Sequence, residues 1–224
     1  MEDNKNIENS LIETLTDSSI ELTGEISELT IDQFIENDLL KEIPFFSLFY
    51  KSFKTVKGLR EALFAMKVYK FIKEFGQIKQ KQKEKLVKRI SLDKKEKIKI
   101  GQTLIMVLDK IDELDKTPII ANLFAAYIKE EITKSEFVQL CLITQNTFLD
   151  YLLLFDKMKK LDDISADVQN SLSTVGLMMP IVNDLKSMYG SSVIIENNDY
   201  LIVYVVSKLG MKMKKYAFEK IPSS

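Results

Sequence analysis

The sequence has no histidine and no tryptophan, a single cysteine, four prolines and seven glycines in 224 residues. The missing histidine excludes most at once. Ser-His-Asp and Cys-His catalysis, histidine general bases and histidine metal ligation all need an imidazole. One cysteine, Cys141, cannot form a disulfide within the chain, which fits a reducing compartment. It lies in the apolar run Phe137 to Ile143 and reads as a small buried hydrophobe. Neither GxxxxGK[ST] nor GxGxxG occurs, so no glycine-rich phosphate cradle is visible. The acidic, polar N-terminus lacks the basic stretch and apolar core of a signal peptide. No run reaches the ~18 uncharged, mostly apolar residues of a membrane-spanning helix. The longest uncharged run, Val168 to Asn183, is diluted by Gln, Asn, Ser, Gly and Pro.

What is present argues for helices. Glycine and proline are few, while Lys, Glu, Ile and Leu are many. An apolar share of 46% is enough for a real core. The formal charge of −1 hides a steep internal asymmetry. Residues 1–40 carry eleven acids and one base, Lys5; residues 41–99 carry eighteen bases and six acids. Such a split predicts an interaction, with a partner or within the chain.

Residues 1–30 read as an acidic arm, either partly disordered or holding a short amphipathic helix through Leu11, Ile12 and Leu15. Residues 31–160 read as a helical core. Thr30 is expected to start a helix, and Pro44 fits the first turn of the next. That helix places Phe45, Leu48, Phe49, Phe53 and Val56 on one face and Lys51, Lys54 and Lys57 on the other. Residues 59–75 are apolar around most of the circumference and predict a central helix closed at Gly76. Residues 77–99 read as a largely solvated helix and a connector, capped by Ser91 or Asp93, and a long helix over 94–114 carries a stripe of Leu104, Val107, Leu108, Ile111 and Leu114. Thr117-Pro118 starts another, and Thr133 with Glu136 forms a capping box for the next. Phe148 to Met158 is intensely apolar and is expected to be buried. A last helix of this set ends near Gly176. Residues 161–224 read as a C-terminal subdomain. Its expected hairpin pairs Val193–Glu196 with Tyr200–Val206 across Asn197-Asn198-Asp199, and Ser207 caps a final helix. The fold class is therefore mainly α: a helical bundle with a C-terminal β-hairpin plus helix.

Two acidic groups could be read as metal or acid–base sites. Asp109, Asp112, Glu113 and Asp115 sit at a helix end, where a solvated terminus explains them as well as Mg²⁺ does. Asp162, Asp163 and Asp167 complement a helix N-terminus. The Phe124–Phe137 helix–loop–helix is superficially similar to a calcium-binding hand. Its connector is too short and lacks the Asp/Asn ladder and central glycine. No catalytic, cofactor or metal residue is assigned.

Two surfaces remain. Residues 77–99 hold ten Lys/Arg. Lys79, Lys81, Lys83, Lys85, Lys88 and Arg89 form a candidate basic surface, for nucleic-acid backbone, for an acidic partner or arm, or simply for solvent. The helix with Phe45, Phe49 and Phe53 against Lys51, Lys54 and Lys57 is a candidate partner or membrane surface, or an ordinary core helix with a basic outer face.

The C-terminal order Val175-Gly176-Leu177, strands, Ser207-Lys208-Leu209-Gly210 resembles the end of winged-helix domains, here with acids on the would-be recognition helix. Two further stretches carry a second resemblance. One is Glu42-Ile-Pro-Phe-Phe through Lys57-Gly-Leu-Arg60 to Phe71-Ile72. The other is Gly101-Gln through Leu108-Asp109-Lys110-Ile111-Asp112 and Leu123-Phe124-Ala125-Ala126-Tyr127 to Leu140. Over roughly residues 40–215 the chain is similar to uncharacterised bacterial helical proteins and, loosely, to Abi-alpha type proteins linked to abortive infection of phage. The resemblance implies a bacterial accessory protein of phage defence and carries over no catalytic residue. The expectation is a cytoplasmic, non-enzymatic interaction protein. Its partner is a protein or a second copy of the chain; peripheral contact with an anionic membrane and nucleic-acid binding are alternatives.

Overall fold

Capping chemistry sets most of the helix starts. In the computed structural model α1 (Ile7–Thr16) begins at Asn6, whose side chain accepts from the Asn9 N–H. Thr30 starts α2 (Ile31–Ile35) with a reciprocal capping box to Gln33, and Asn37 caps α3 (Asp38–Lys41). Pro44 opens α4 (Pro44–Ser52), followed by α5 (Leu59–Gly76) and α6 (Gln80–Leu92). Asp93 caps α7 (Lys94–Lys110). Pro118 lies in the first turn of α8 (Thr117–Ile128). The Thr133–Glu136 box starts α9 (Lys134–Asn146), and α10 is Leu149–Lys157. Ser165 caps α11 (Ala166–Thr174), and Ser207 caps α12 (Lys208–Tyr216). Between them β1 (Met178–Asp184) and β2 (Tyr200–Val206) pair antiparallel. The structure describes residues 6–17, 19, 20, 22, 30–52, 58–76, 80–184 and 200–218, with the side chains at 52, 80–82, 92, 94, 182–184 and 200–202 excepted. The chain is mainly α with a small C-terminal sheet.

The centre of the bundle is α8, which buries nearly every residue it has and packs on α5, α9, α6 and α12. Phe124 is its hub, 5.7 Å from Phe71, 5.2 Å from Phe75 and 5.8 Å from Phe137. A second aromatic cluster joins Phe34, Phe45, Phe46, Phe49, Phe64 and Tyr69 where α2 and α4 meet α5. Each fully buried Phe contributes about 1.5–3 kcal/mol of apolar transfer.

The structure bears on three expectations. Of the two readings of the acidic arm, residues 7–16 take the short amphipathic helix. Leu11, Ile12 and Leu15 are buried, and α1 lies against α4 and α7. It gets there because its inner face is small: Ser10 and Thr14 are buried, and a Cβ on Gly101 would stand 2.6 Å from the Glu8 carbonyl oxygen. Thr14 also accepts the Phe45 N–H at 3.1 Å, so α1 caps α4 from outside.

The strand partner of Tyr200–Val206 is Met178–Asp184, in register Met178↔Val206 to Asp184↔Tyr200. Among the described residues the sheet has two strands, both of them edges, and an edge tolerates Pro180. The expected partner Val193–Glu196 and its turn lie outside the described residues. Third, α10 is not a buried helix. Leu152 and Phe155 face inward, but Leu153 and Leu154 are exposed and Phe148 at its N-cap is 71% exposed.

The glycines and serine that resemble a winged-helix end have a local physical role. Gly176 takes a left-handed φ of +86° and closes α11, with Leu177 N–H reaching back to the Leu172 carbonyl. Ser207 Oγ donates to the Gly176 carbonyl at 2.6 Å and accepts the Gly210 N–H at 2.9 Å. A Cβ at Gly210 would sit 2.1 Å from the Leu177 carbonyl oxygen. Two helix ends are thus joined backbone to backbone.

Candidate functional site

The expected membrane-facing rings are core residues. Phe45 and Phe49 are buried among Phe46, Phe64 and the α1 helix, so neither can insert elsewhere without opening the bundle. Of the two readings of this helix, the packing agrees with the core one: the apolar stripe is real, α1 and α3 lie over it, and Tyr69 and Phe64 of α5 meet its rings. Lys51 is exposed, on the opposite side as expected. Phe53, Lys54 and Lys57 lie outside the described residues.

On the basic surface, α6 turns Leu86 to the core and Lys85 and Lys88 to solvent, with Lys83 half-buried. None of these three lysines has an ion-pair partner among the described residues. Arg89 differs from them. Its Nε donates to Glu96 at 2.5 Å, one terminal nitrogen donates to the Tyr127 hydroxyl at 2.8 Å, and the guanidinium lies over the Tyr127 ring. Burial pushes the Tyr127 phenol up from its ordinary value, against the pull of Arg89. Arg89 is therefore a structural tie from α6 to α7 and α8. Lys79 and the side chain of Lys81 lie outside the described residues. Lys97 meets Glu13 at 3.2 Å, so the acidic N-terminal helix and the basic region touch within one chain.

The acidic residues near 109–115 are dispersed among cations. Asp109 faces Arg60 at 3.3 Å and Asp115 faces Lys70 at 2.5 Å. Asp112 and Glu113 both meet Lys116, at 2.8 and 3.1 Å. Burial would raise the Asp112 carboxyl, but the Lys116 hydrogen bond and charge, with nearby backbone N–H groups, hold it below the usual range. Asp163 is likewise held down by the Lys160 and Lys159 N–H groups. Among the described residues no three metal-ligating side chains gather.

Buried lysines can be reactive amines, but here Lys67 and Lys116, with the half-buried Lys214, satisfy helix C-termini. Lys67 Nζ donates to the Asp109 and Ile111 carbonyls at the end of α7, at 3.1 and 2.7 Å. Lys214 donates to the Phe155, Asp156 and Met158 carbonyls at the end of α10. Lys116, only 1% exposed, reaches the Gln145 carbonyl at the end of α9 at 3.4 Å. Each supplies donors and positive charge where a helix leaves carbonyls unpaired. Desolvation lowers the Lys67 and Lys214 ammonium groups below the ordinary lysine value, with partial compensation from Asp109 and Asp156 respectively. Burial raises the Cys141 thiol well above its ordinary value, so it is a poor nucleophile.

One cavity of about 460 Å³ opens between α1, α4, α5 and α7. Its walls are Ile7, Phe49, Phe64, Ile105 and Met106. Glu8, Arg60, Glu61, Gln102 and Asp109 supply its polar groups. A volume and an apolar lining of this kind are those of small-molecule sites. The sequence held one sign of it. Ile105 and Met106 fall off the α7 core stripe of Leu104, Val107, Leu108 and Ile111, which marks a second apolar face. That this face meets α1 was not readable from periodicity.

No protein-family model, curated protein or solved structure matches the chain.

Proposed function

We propose that the protein is a non-enzymatic interaction protein that docks an acidic protein surface through the outer face of α6. The supporting observation is that Lys83, Lys85 and Lys88 keep no carboxylate partner among the described residues. The chain's own acidic helix meets the basic region at Lys97 instead. Glu84 is exposed between two of these lysines, which interrupts the continuous positive track that a phosphate backbone favours. Mixed charge with local positive excess suits steering toward an acidic protein. The similarity of residues 40–215 to uncharacterised bacterial helical proteins and, loosely, to Abi-alpha type proteins is the ground for placing that interaction in bacterial phage defence or stress.

Titration of the full chain separates the classes. A polyglutamate peptide, a short DNA duplex and phosphatidylserine vesicles are each added at low and moderate salt. The wild type is expected to bind polyglutamate most tightly, and Lys83→Glu/Lys85→Glu/Lys88→Glu to lose at least about tenfold in affinity. Tighter binding of DNA with a steep salt slope, tighter binding of vesicles, or no binding by any probe overturns the proposal.

A further inference from the structure

The cavity between α1, α4, α5 and α7 is independent of α6 and has a chemistry of its own. Its chamber is apolar, formed by the rings of Phe49 and Phe64 with Ile7, Ile105 and Met106. An apolar chamber of this size gains by taking up a hydrocarbon or aryl group. The polar groups then decide what else the occupant carries. Three are carboxylates, Glu8, Glu61 and Asp109, and one is a cation, Arg60. Arg60 and Asp109 already face each other at 3.3 Å. Glu8 and Glu61 are half-buried and have no ion-pair partner among the described residues. Glu8 and Glu61 stand in the first turns of α1 and α5, where the helix dipole offsets part of their charge; after the one internal pair is set aside, the net side-chain charge around the chamber is negative. An anionic head placed there meets two free carboxylates; a cationic head meets two acceptors in a partly desolvated setting, where Coulomb attraction exceeds its value in water. Gln102 adds a neutral polar group that can contact either.

We infer that this cavity is a binding site for a small amphipathic cation. The occupant's hydrocarbon or aryl part sits against Phe49, Phe64 and Met106, and its ammonium or amidinium group lies between Glu8 and Glu61. The wall is assembled from four helices, and α1 is one of them, so occupancy favours the state in which the N-terminal helix is docked. Ligand binding therefore stabilises the fold by mass action and raises its melting temperature.

The test uses the full chain and three probes with the same hydrocarbon tail: decyltrimethylammonium and decyl sulfate below their micellar concentrations, and decanol below its solubility limit. Calorimetric titration is expected to give one site for the ammonium probe, with decyl sulfate at least about tenfold weaker. Glu8→Gln/Glu61→Gln keeps shape and helix content and is expected to weaken the ammonium probe at least about threefold while leaving decanol unchanged. Met106→Trp narrows the chamber from a partly exposed position and is expected to weaken all three probes; circular dichroism verifies that both variants remain helical. The inference is overturned if none of the probes binds, or if decyl sulfate binds as tightly as the ammonium probe. Unchanged ammonium affinity in the glutamine variant, or unchanged binding in Met106→Trp, overturns it too.

Discussion

Two short helices of similar apolar content end in different places, one inside the bundle and one at its surface. α4 has aromatics on one side and lysine on the other, and buries Phe45, Phe46 and Phe49. α10 is rich in leucine and aromatics, and leaves Leu153 and Leu154 in solvent with Phe148 standing edge-on against Tyr151. What differs is the supply of neighbours. α4 lies under α1 and against α3, and its rings reach Phe64 of α5. α10 leaves α9 at a bend of 116° and is held mainly through Leu152, Phe155 and the Lys214 cap at its end. Apolar content sets the capacity to be buried; covering helices decide whether it is used. Among the described residues no single helix is long and apolar enough to cross a membrane.

The largest expected effect breaks the buried side. Phe45→Ala removes a ring stacked on Phe49 and edge-on to Phe46, and is expected to cost about 3–5 kcal/mol. The shift appears in the urea midpoint with an unchanged slope. Next comes the end that pins α10. Lys214→Met leaves the Phe155, Asp156 and Met158 carbonyls without their shared donor and should cost about 1–3 kcal/mol, read by the same titration. Ser207→Ala removes the cap of α12, the helix that carries Lys214, and should cost about 1 kcal/mol.

A smaller effect depends on pH. Glu136 accepts from Lys212 at 2.5 Å and from the Thr133 N–H, and both hold its carboxyl below the usual glutamate range. A folded value below the unfolded one means that this stability is fully present above the ordinary glutamate range. It is lost as pH falls through the folded value. Glu136→Gln is expected to lower stability at neutral pH and to match the wild type more closely near about pH 3, in paired urea titrations. The smallest effect lies on the exposed side of the comparison: Phe148→Ser should change stability by less than about 0.5 kcal/mol. A loss comparable to that of Phe45→Ala would erase the distinction between the two helices.

Features set within three or four residues were legible in the sequence. Thr30, Asp93, Thr133 and Ser207 act as caps because a short side chain meets an N–H two or three residues on, and that geometry needs no tertiary partner. The central place of α5 was legible because its apolar positions cover most of the circumference. What could not be read depended on distant chain. The sequence left α1 open between a disordered arm and an amphipathic helix; its docking depends on Gly101 of α7, which provides the gap that admits its backbone. The sheet partner Met178–Asp184 was hidden by Pro180 and by a run lacking strict alternation, while Val193–Glu196 carried stronger strand propensity. The cavity was invisible for the same reason as the placement of α1: four helices must be assembled before it exists.

Thiol labelling under native conditions tests the contrast between α4 and α10 most directly, because the one natural thiol, Cys141, is buried and unreactive. Phe148→Cys and Phe45→Cys are prepared separately, shown to be helical, and exposed to a thiol reagent. Cysteine at 148 should be modified nearly as fast as a free thiol, and cysteine at 45, which is fully buried and not part of the cavity wall, only as fast as the protein unfolds. Equal, fast modification at both positions would contradict the burial of α4 and return its aromatic face to the surface.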